Sequence, residues 1–135
     1  MRALKVVKIE AYGKECECVA LFDTGSGVTA IQRKFYEENF GRRWLNLDKP
    51  IKVFWLNEQS IDVDKYAQAT IIIDEYRLPE VVFVIDEWVE KIRVDEKEIK
   101  LPEMVIGSGT MDKYGISLDP KEGVRVLGAS LLFNK

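Results

Sequence analysis

The chain has 135 residues, 47% hydrophobic and 32% charged, with 20 basic and 23 acidic side chains and a net charge of −3. That length suits one domain with a real core, and the even charge balance gives no electrostatic case for nucleic acid or an anionic membrane as a partner. Histidine is absent, which excludes Ser-His and Cys-His nucleophilic catalysis and His-based metal sites, so any acid-base chemistry falls to carboxylates, Lys, Tyr or Cys.

The first residues, MRALKVVKIEAYG, alternate charged and apolar side chains, which does not read as a signal peptide. No apolar run approaches the roughly 20 residues of a membrane span, and the expected compartment is the cytoplasm. Residues 6–12 and 17–22 are rich in Val, Ile and aromatic residues and predict a hairpin turning at Gly13 and Lys14. Cys16 and Cys18 share a face of its second strand. A disulfide at that spacing is strained and a metal needs more soft ligands, so both read as ordinary thiols.

Residues 28–31 predict a short strand. Residues 32–41 predict a helical turn or two, with Phe35, Phe40 and Tyr36 facing in and Gly41 ending it. After Pro50, residues 51–56 and 60–73 predict a long hairpin around 57–60, without an Asn-Gly signal. Residues 76–86 make another strand, in which Pro79 points to an edge or a bend. The charge-rich segment 87–102 reads as an exposed loop or a short hairpin around Asp95 and Glu96. Met104, Val105 and Ile106 form a buried-type strand ending at Gly107. Residues 108–115 predict a short helix closed by Gly115, and 116–118 and 124–127 are terminal strands. The expectation is one all-β domain, a compact barrel or sandwich with one or two short helices.

The stretch LFDTGSGVTAI, residues 21–31, is the centre of interest. Two apolar residues deliver Asp23 into a turn of Thr24, Gly25, Ser26 and Gly27. An Asx-type turn accounts for such a carboxylate on its own. Some 80 residues later, MVIG (104–107) runs into the short helix. Gly107 fits a strand that passes close behind the Asp23 turn, where a Cβ would clash. GSGTMDK (107–113) lacks the ending of a phosphate loop, and the aspartates do not have EF-hand spacing.

Taken together, ALFDTGSGVTAI (20–31), IKVFWLNEQSIDV (51–63) and MVIGSGTMDKYGISLD (104–119) resemble the retropepsin-like family of aspartic proteases. The resemblance covers residues 20–119 and implies an acid-protease-like closed barrel protomer. It implies an aspartic endopeptidase in which paired carboxylates activate a water, with no cofactor and no metal. A second Asp-Thr-Gly or Asp-Ser-Gly is missing, because Asp48, Asp62, Asp64, Asp74, Asp86, Asp95, Asp112 and Asp119 all lack that context. One chain therefore supplies half a site, and the resemblance implies a homodimer acting on a peptide or protein substrate.

By the same resemblance Asp23, Thr24 and Gly25 are the catalytic residues. Thr24 would bond across the dimer axis, and Gly25 would let substrate approach. Ser26 would bond Asp23 from outside. The hairpin at about 51–64 would be a flap over the substrate, with Trp55, Leu56 and Asn57 joining Ser26 and Gly27 in substrate binding. Its tip departs from the retroviral pattern in having no glycine. Strand packing is the other reading of Trp55 and Leu56. The C-terminal segment would supply an interface strand or pack on its own subunit. The alternative function is a catalytically silent module that dimerises or binds peptides.

Overall fold

A computed structural model describes residues 1–126; the C-terminal segment and the side chain of Asn57 lie outside the described residues, and with them the expectations placed there. The described residues form eleven strands and two short α-helices in succession. Strands β1 (Arg2–Ala11) and β2 (Lys14–Asp23) form a hairpin. Its turn is Tyr12–Gly13, both at positive φ (51° and 75°), the twist-matched geometry of a two-residue hairpin turn. The turn expected at Gly13–Lys14 is thus one residue late.

The Asp23 turn leads to β3 (Ala30–Gln32) and helix α1 (Arg33–Phe40), so the strand expected at 28–31 is shorter and later. Tyr36 and Phe40 are the buried face of α1, and Phe35 packs at its margin. Gly41, at φ 72°, ends the helix with its N–H on the Glu37 carbonyl.

Strands β4 (Leu45–Phe54) and β5 (Ser60–Ile73) follow, joined by a 3₁₀ turn at Leu56–Glu58. β4 begins before Pro50, not after it. Pro50 falls inside the break in pairing between Asn46 and Ile51, and β4 is an edge strand, the setting in which a missing N–H is tolerated.

Strand β6 (Tyr76–Ile85) pairs with β5 from Tyr76 to Phe83. Its other neighbour, β3, reaches only Phe83–Ile85, so Pro79 lies where β6 has one partner. The segment 87–102 contains a second hairpin, β7 (Lys91–Val94) and β8 (Lys97–Lys100). It turns on Asp95 and Glu96, both at positive φ. Strand β9 (Met104–Ile106), helix α2 (Ser108–Tyr114) and the hairpin β10 (Ile116–Asp119) with β11 (Gly123–Val126) complete the described chain.

Six strands close in the order β1-β2-β9-β3-β6-β5, because β5 pairs back onto β1, and β4 hangs from β5. β9 lies between β2 and β3, parallel to the first and antiparallel to the second. The Asp23 turn therefore arches over β9 to reach β3, and this crossing positions the site.

Strand alternation divides the core in two. Ala20 and Phe22 face one cluster with Ile9, Ile71 and Met104. Leu21 faces the other, with Val53, Trp55, Leu56, Ile92, Val94, Leu101 and Val105. Asp23 lies on the same face of β2 as Leu21, so the second cluster lies on its side of the sheet. Cys18 is buried, Cys16 half-buried, and both are free thiols. No helix among the described residues is long and apolar enough to cross a membrane.

Candidate active site

Asp23 ends β2 and is 2% exposed. Its Oδ1 accepts the Gly25 N–H at 2.7 Å, and the Ser26 N–H donates to the Asp23 carbonyl at 3.1 Å. These two bonds make the Asx-type turn, which fixes the carboxylate against its own loop. A Cβ on Gly25 would stand 3.1 Å from Asp23 Oδ1, so this glycine leaves room for the carboxylate. Thr24, Gly25 and Gly27 are exposed.

The Ser26 hydroxyl, expected on Asp23, bonds elsewhere. It is buried and donates to the Val28 carbonyl at 2.8 Å, two residues on in the same turn. Ser26 thus tightens the arch.

The arch rests on the segment after β9. The Ser108 N–H donates to the Ser26 carbonyl at 2.7 Å, and the Gly107 N–H to Thr29 Oγ1 at 3.1 Å. Gly107 adopts φ −94° and ψ 178°, which any residue can take. Space requires the glycine, as the sequence suggests. Thr29 and Thr110 share a hydrogen bond of 2.6 Å; Thr110 donates to Glu80 at 2.9 Å, and Lys113 reaches the other Glu80 oxygen at 3.0 Å. This chain of bonds ties α2 and β6 to the back of the Asp23 arch. Sequence reasoning missed it, because its members stand up to 81 positions apart and carry no motif.

Asp23 has a partner that the sequence reading also missed. Arg2 Nε donates to Asp23 Oδ2 at 2.8 Å, and Arg2 Nη1 donates to the Arg93 carbonyl of β7 at 3.0 Å. The β1–β2 register sets Arg2 directly opposite Asp23. Thr24 is held by Met1, whose carbonyl accepts its N–H at 3.2 Å. An open hollow of about 520 Å³ is lined by Asp23, Thr24 and Gly25 of the turn, Met1 and Arg2, and Arg93 and Asp95 of the β7–β8 hairpin. The charged segment 87–102 thus contributes to the surroundings of Asp23.

The β4–β5 hairpin lies against the turn from the other side. The Gly27 N–H donates to the Phe54 carbonyl at 3.4 Å, and a Cβ on Gly27 would stand 3.3 Å from Phe54 Cβ. Trp55 and Leu56 are fully buried in the second cluster, and Trp55 packs on Trp88 with ring centroids 5.4 Å apart. In this arrangement neither side chain is presented at an open surface. Trp55 Nε1 is buried without a hydrogen-bond partner among the described residues. No group of three or more His, Cys, Asp or Glu among the described residues could hold a metal ion.

Among solved structures, the chain is similar to the retroviral protease-like domain of Ddi1 from Leishmania major. The TM-score is 0.59, with 12% identity, over 92% of this chain and 88% of that one. At that identity the likeness is one of fold, and the chain has the retropepsin-like all-β fold, a closed six-strand barrel with two short helices among the described residues. No protein-family model matches the chain, and no curated protein matches it.

Proposed function

We propose that the chain is one half of an aspartic endopeptidase, completed by a second copy that brings its own Asp23. The observation that carries this reading is the Asp23 turn. A buried carboxylate is anchored on one oxygen by the Gly25 N–H, and Thr24 and Gly25 are left exposed beside it. A solubilising or merely turn-forming Asp has no use for burial in an arch braced from behind.

Two such carboxylates brought together cannot both ionise cheaply, so the pair shares one proton. A water between them loses a proton to the ionised carboxylate as its oxygen attacks the scissile carbonyl carbon, and the other carboxylic acid protonates the carbonyl oxygen. Collapse of the tetrahedral intermediate breaks the C–N bond, with the proton passing to the leaving amine. Thr24 and Gly25 face the second copy in this reading. The β4–β5 hairpin is the flap, and it lifts from Gly27 to admit an extended peptide. Ser26 holds the arch from within, Gly27 meets the substrate main chain, and Trp55, Leu56 and Asn57 ride at the flap tip. No cofactor is needed. The reading places the protein in the cytoplasm, where two free thiols persist.

A second reading is favoured by two specific observations: Arg2 occupies Asp23 Oδ2, and Trp55 and Leu56 are buried. A catalytically silent module that dimerises or binds peptides would keep both.

The test is incubation with a diverse peptide library from roughly pH 3 to pH 8, wild type beside Asp23→Asn. Products are read by mass spectrometry, and oligomeric state by sedimentation. Cuts that disappear in the variant while the dimer persists establish the endopeptidase. A dimer that makes no cuts at any pH sinks it in favour of the silent module.

A further inference from the structure

We propose that Arg2 is a latch. Bonded at once to Asp23 and to the β7–β8 hairpin, it covers the carboxylate oxygen that an attacking water needs and must swing away before the paired site can work. The proposal rests on the endopeptidase reading of Asp23.

Asp23 has two oxygens to offer. Oδ1 is committed to the Gly25 N–H at 2.7 Å. Oδ2 is the one the turn leaves over, and Arg2 Nε sits on it at 2.8 Å. A water poised for attack on that side must stand where the guanidinium stands. The pair is no loose surface contact: the Arg2 side chain is 24% exposed and that of Asp23 3%. A charge-assisted bond in such a setting is among the stronger ones in a fold.

Two features make the contact a built one. β1 and β2 pair without interruption from Arg2↔Asp23 to Ala11↔Lys14, so closing the hairpin delivers Arg2 to Asp23. The second tie, Arg2 Nη1 to the Arg93 carbonyl at 3.0 Å, comes from a separate part of the chain. β7 is itself anchored, because Ile92 and Val94 are buried in the same cluster as Leu21. The guanidinium is therefore held from both ends. Both of these ties are made by the side chain and the β1–β2 ladder by backbone, so rotating the Arg2 side chain frees the carboxylate without opening the barrel.

The experiment compares wild type, Arg2→Gln, Arg2→Lys and Arg93→Ala. Arg93→Ala retains the carbonyl that Arg2 uses and controls for loss of charge in the hollow. Asp23 is labelled with a small epoxide, which esterifies a carboxylate, and the site is read by peptide mass spectrometry. Cleavage is assayed in parallel at matched dimer content, and folding is checked by circular dichroism. The expected result is that Arg2→Gln labels at Asp23 about tenfold faster, the scale of one charge-assisted bond, and cuts faster too. Arg93→Ala should match wild type in both. Equal labelling of Asp23 in wild type and Arg2→Gln overturns the latch. So does faster labelling with slower cleavage, which would give Arg2 a part in holding substrate. Faster labelling with no cleavage in any variant keeps Arg2 as the cover of Asp23 and sinks the endopeptidase reading instead. If Arg2→Gln does not fold, Arg2→Lys decides, because an ammonium lacks the fork that spans both contacts. Intermediate labelling supports the latch, and labelling at the wild-type rate overturns it.

Discussion

Gly107 passes so close to Val28 that a Cβ built on it would stand 2.3 Å from the Val28 carbonyl oxygen and 2.7 Å from that of Ser26. Both obstacles are backbone, in the arch that carries Asp23, so no side chain can step aside. Gly107→Ala should therefore push the arch off β9. The expected loss is about 1–3 kcal/mol or more, as for overpacking against rigid neighbours, read as a fall of several degrees in the thermal midpoint. A variant as stable as wild type would show that the arch gives way freely.

The bonds behind the arch separate buried from exposed partners. Thr110 is buried between Thr29 and Glu80, so Thr110→Val should cost about 1–3 kcal/mol by leaving polar groups unpaired. Lys113 bonds the same Glu80, but its side chain is 55% exposed. Lys113→Met should leave stability close to that of wild type. Urea denaturation of the two variants checks the contrast, and equal losses would refute it.

Much of this was legible in the sequence, and the gaps have physical causes. Alternation gave the strands, and the apolar run into Asp23 together with MVIG gave the arch and the strand beneath it. Arg2 was hidden by one misplaced turn. Placing it at Gly13–Lys14 slides the register by two and sets Leu4, not Arg2, opposite Asp23. The cause is Tyr12, which adopts φ 51°, a conformation uncommon for a bulky residue. The burial of Trp55 and Leu56 was out of reach for a different reason. Their partners Trp88, Ile92 and Val94 lie in a segment whose charge density reads as solvent-facing, although every second residue of β7 points inward.

Trp55 offers a test of how that second cluster is held. Its ring is fully buried but Nε1 has no partner among the described residues, and a buried donor left unmade costs about 1–3 kcal/mol. Trp55→Phe deletes that donor and retains most of the ring, so its net cost should be under about 1.5 kcal/mol. Trp55→Ala should cost about 3–5 kcal/mol through the cavity it leaves against Trp88. Chemical denaturation of both variants checks this. A Phe variant as unstable as the Ala variant would mean that Nε1 finds a partner in solution.

Asp95 lines the same hollow as Asp23 from the tip of the β7–β8 hairpin, which makes it the natural candidate for a second carboxylate within one chain. In the symmetric reading it has no part in the reaction. Asp95→Asn should then keep cleavage within a few-fold, while Asp23→Asn loses about 10²–10⁴-fold, the usual worth of a general acid or base. Loss of activity in Asp95→Asn from a protein that sediments as a monomer would move the pair into one chain.

Stability should fall in alkali. Burial is the main reason that Cys18 is pushed up to about 12 from an ordinary 9.0, with the charges of Cys16, Glu103 and Glu17 adding to it. Burial, then Glu15, raises Cys16 to about 11. Burial, then Tyr12, raises Tyr36 to about 12, with Arg43 opposing. Lys65 is raised chiefly by its hydrogen bond to Asp86. Each group keeps its proton to higher pH in the folded chain than in the unfolded one. Above about pH 9 the folded state therefore holds more protons, and stability declines as pH rises towards 12. Below pH 9 these groups are protonated in both states and add no slope. Cys18 is the most buried of the two thiols, and its share is on the order of 1.4 kcal/mol per pH unit between the two values. Urea midpoints taken between pH 8 and pH 11 should fall for wild type and fall less steeply for Cys18→Ala. Identical slopes would remove Cys18 from the account and leave Cys16, Tyr36 and Lys65 to explain the decline.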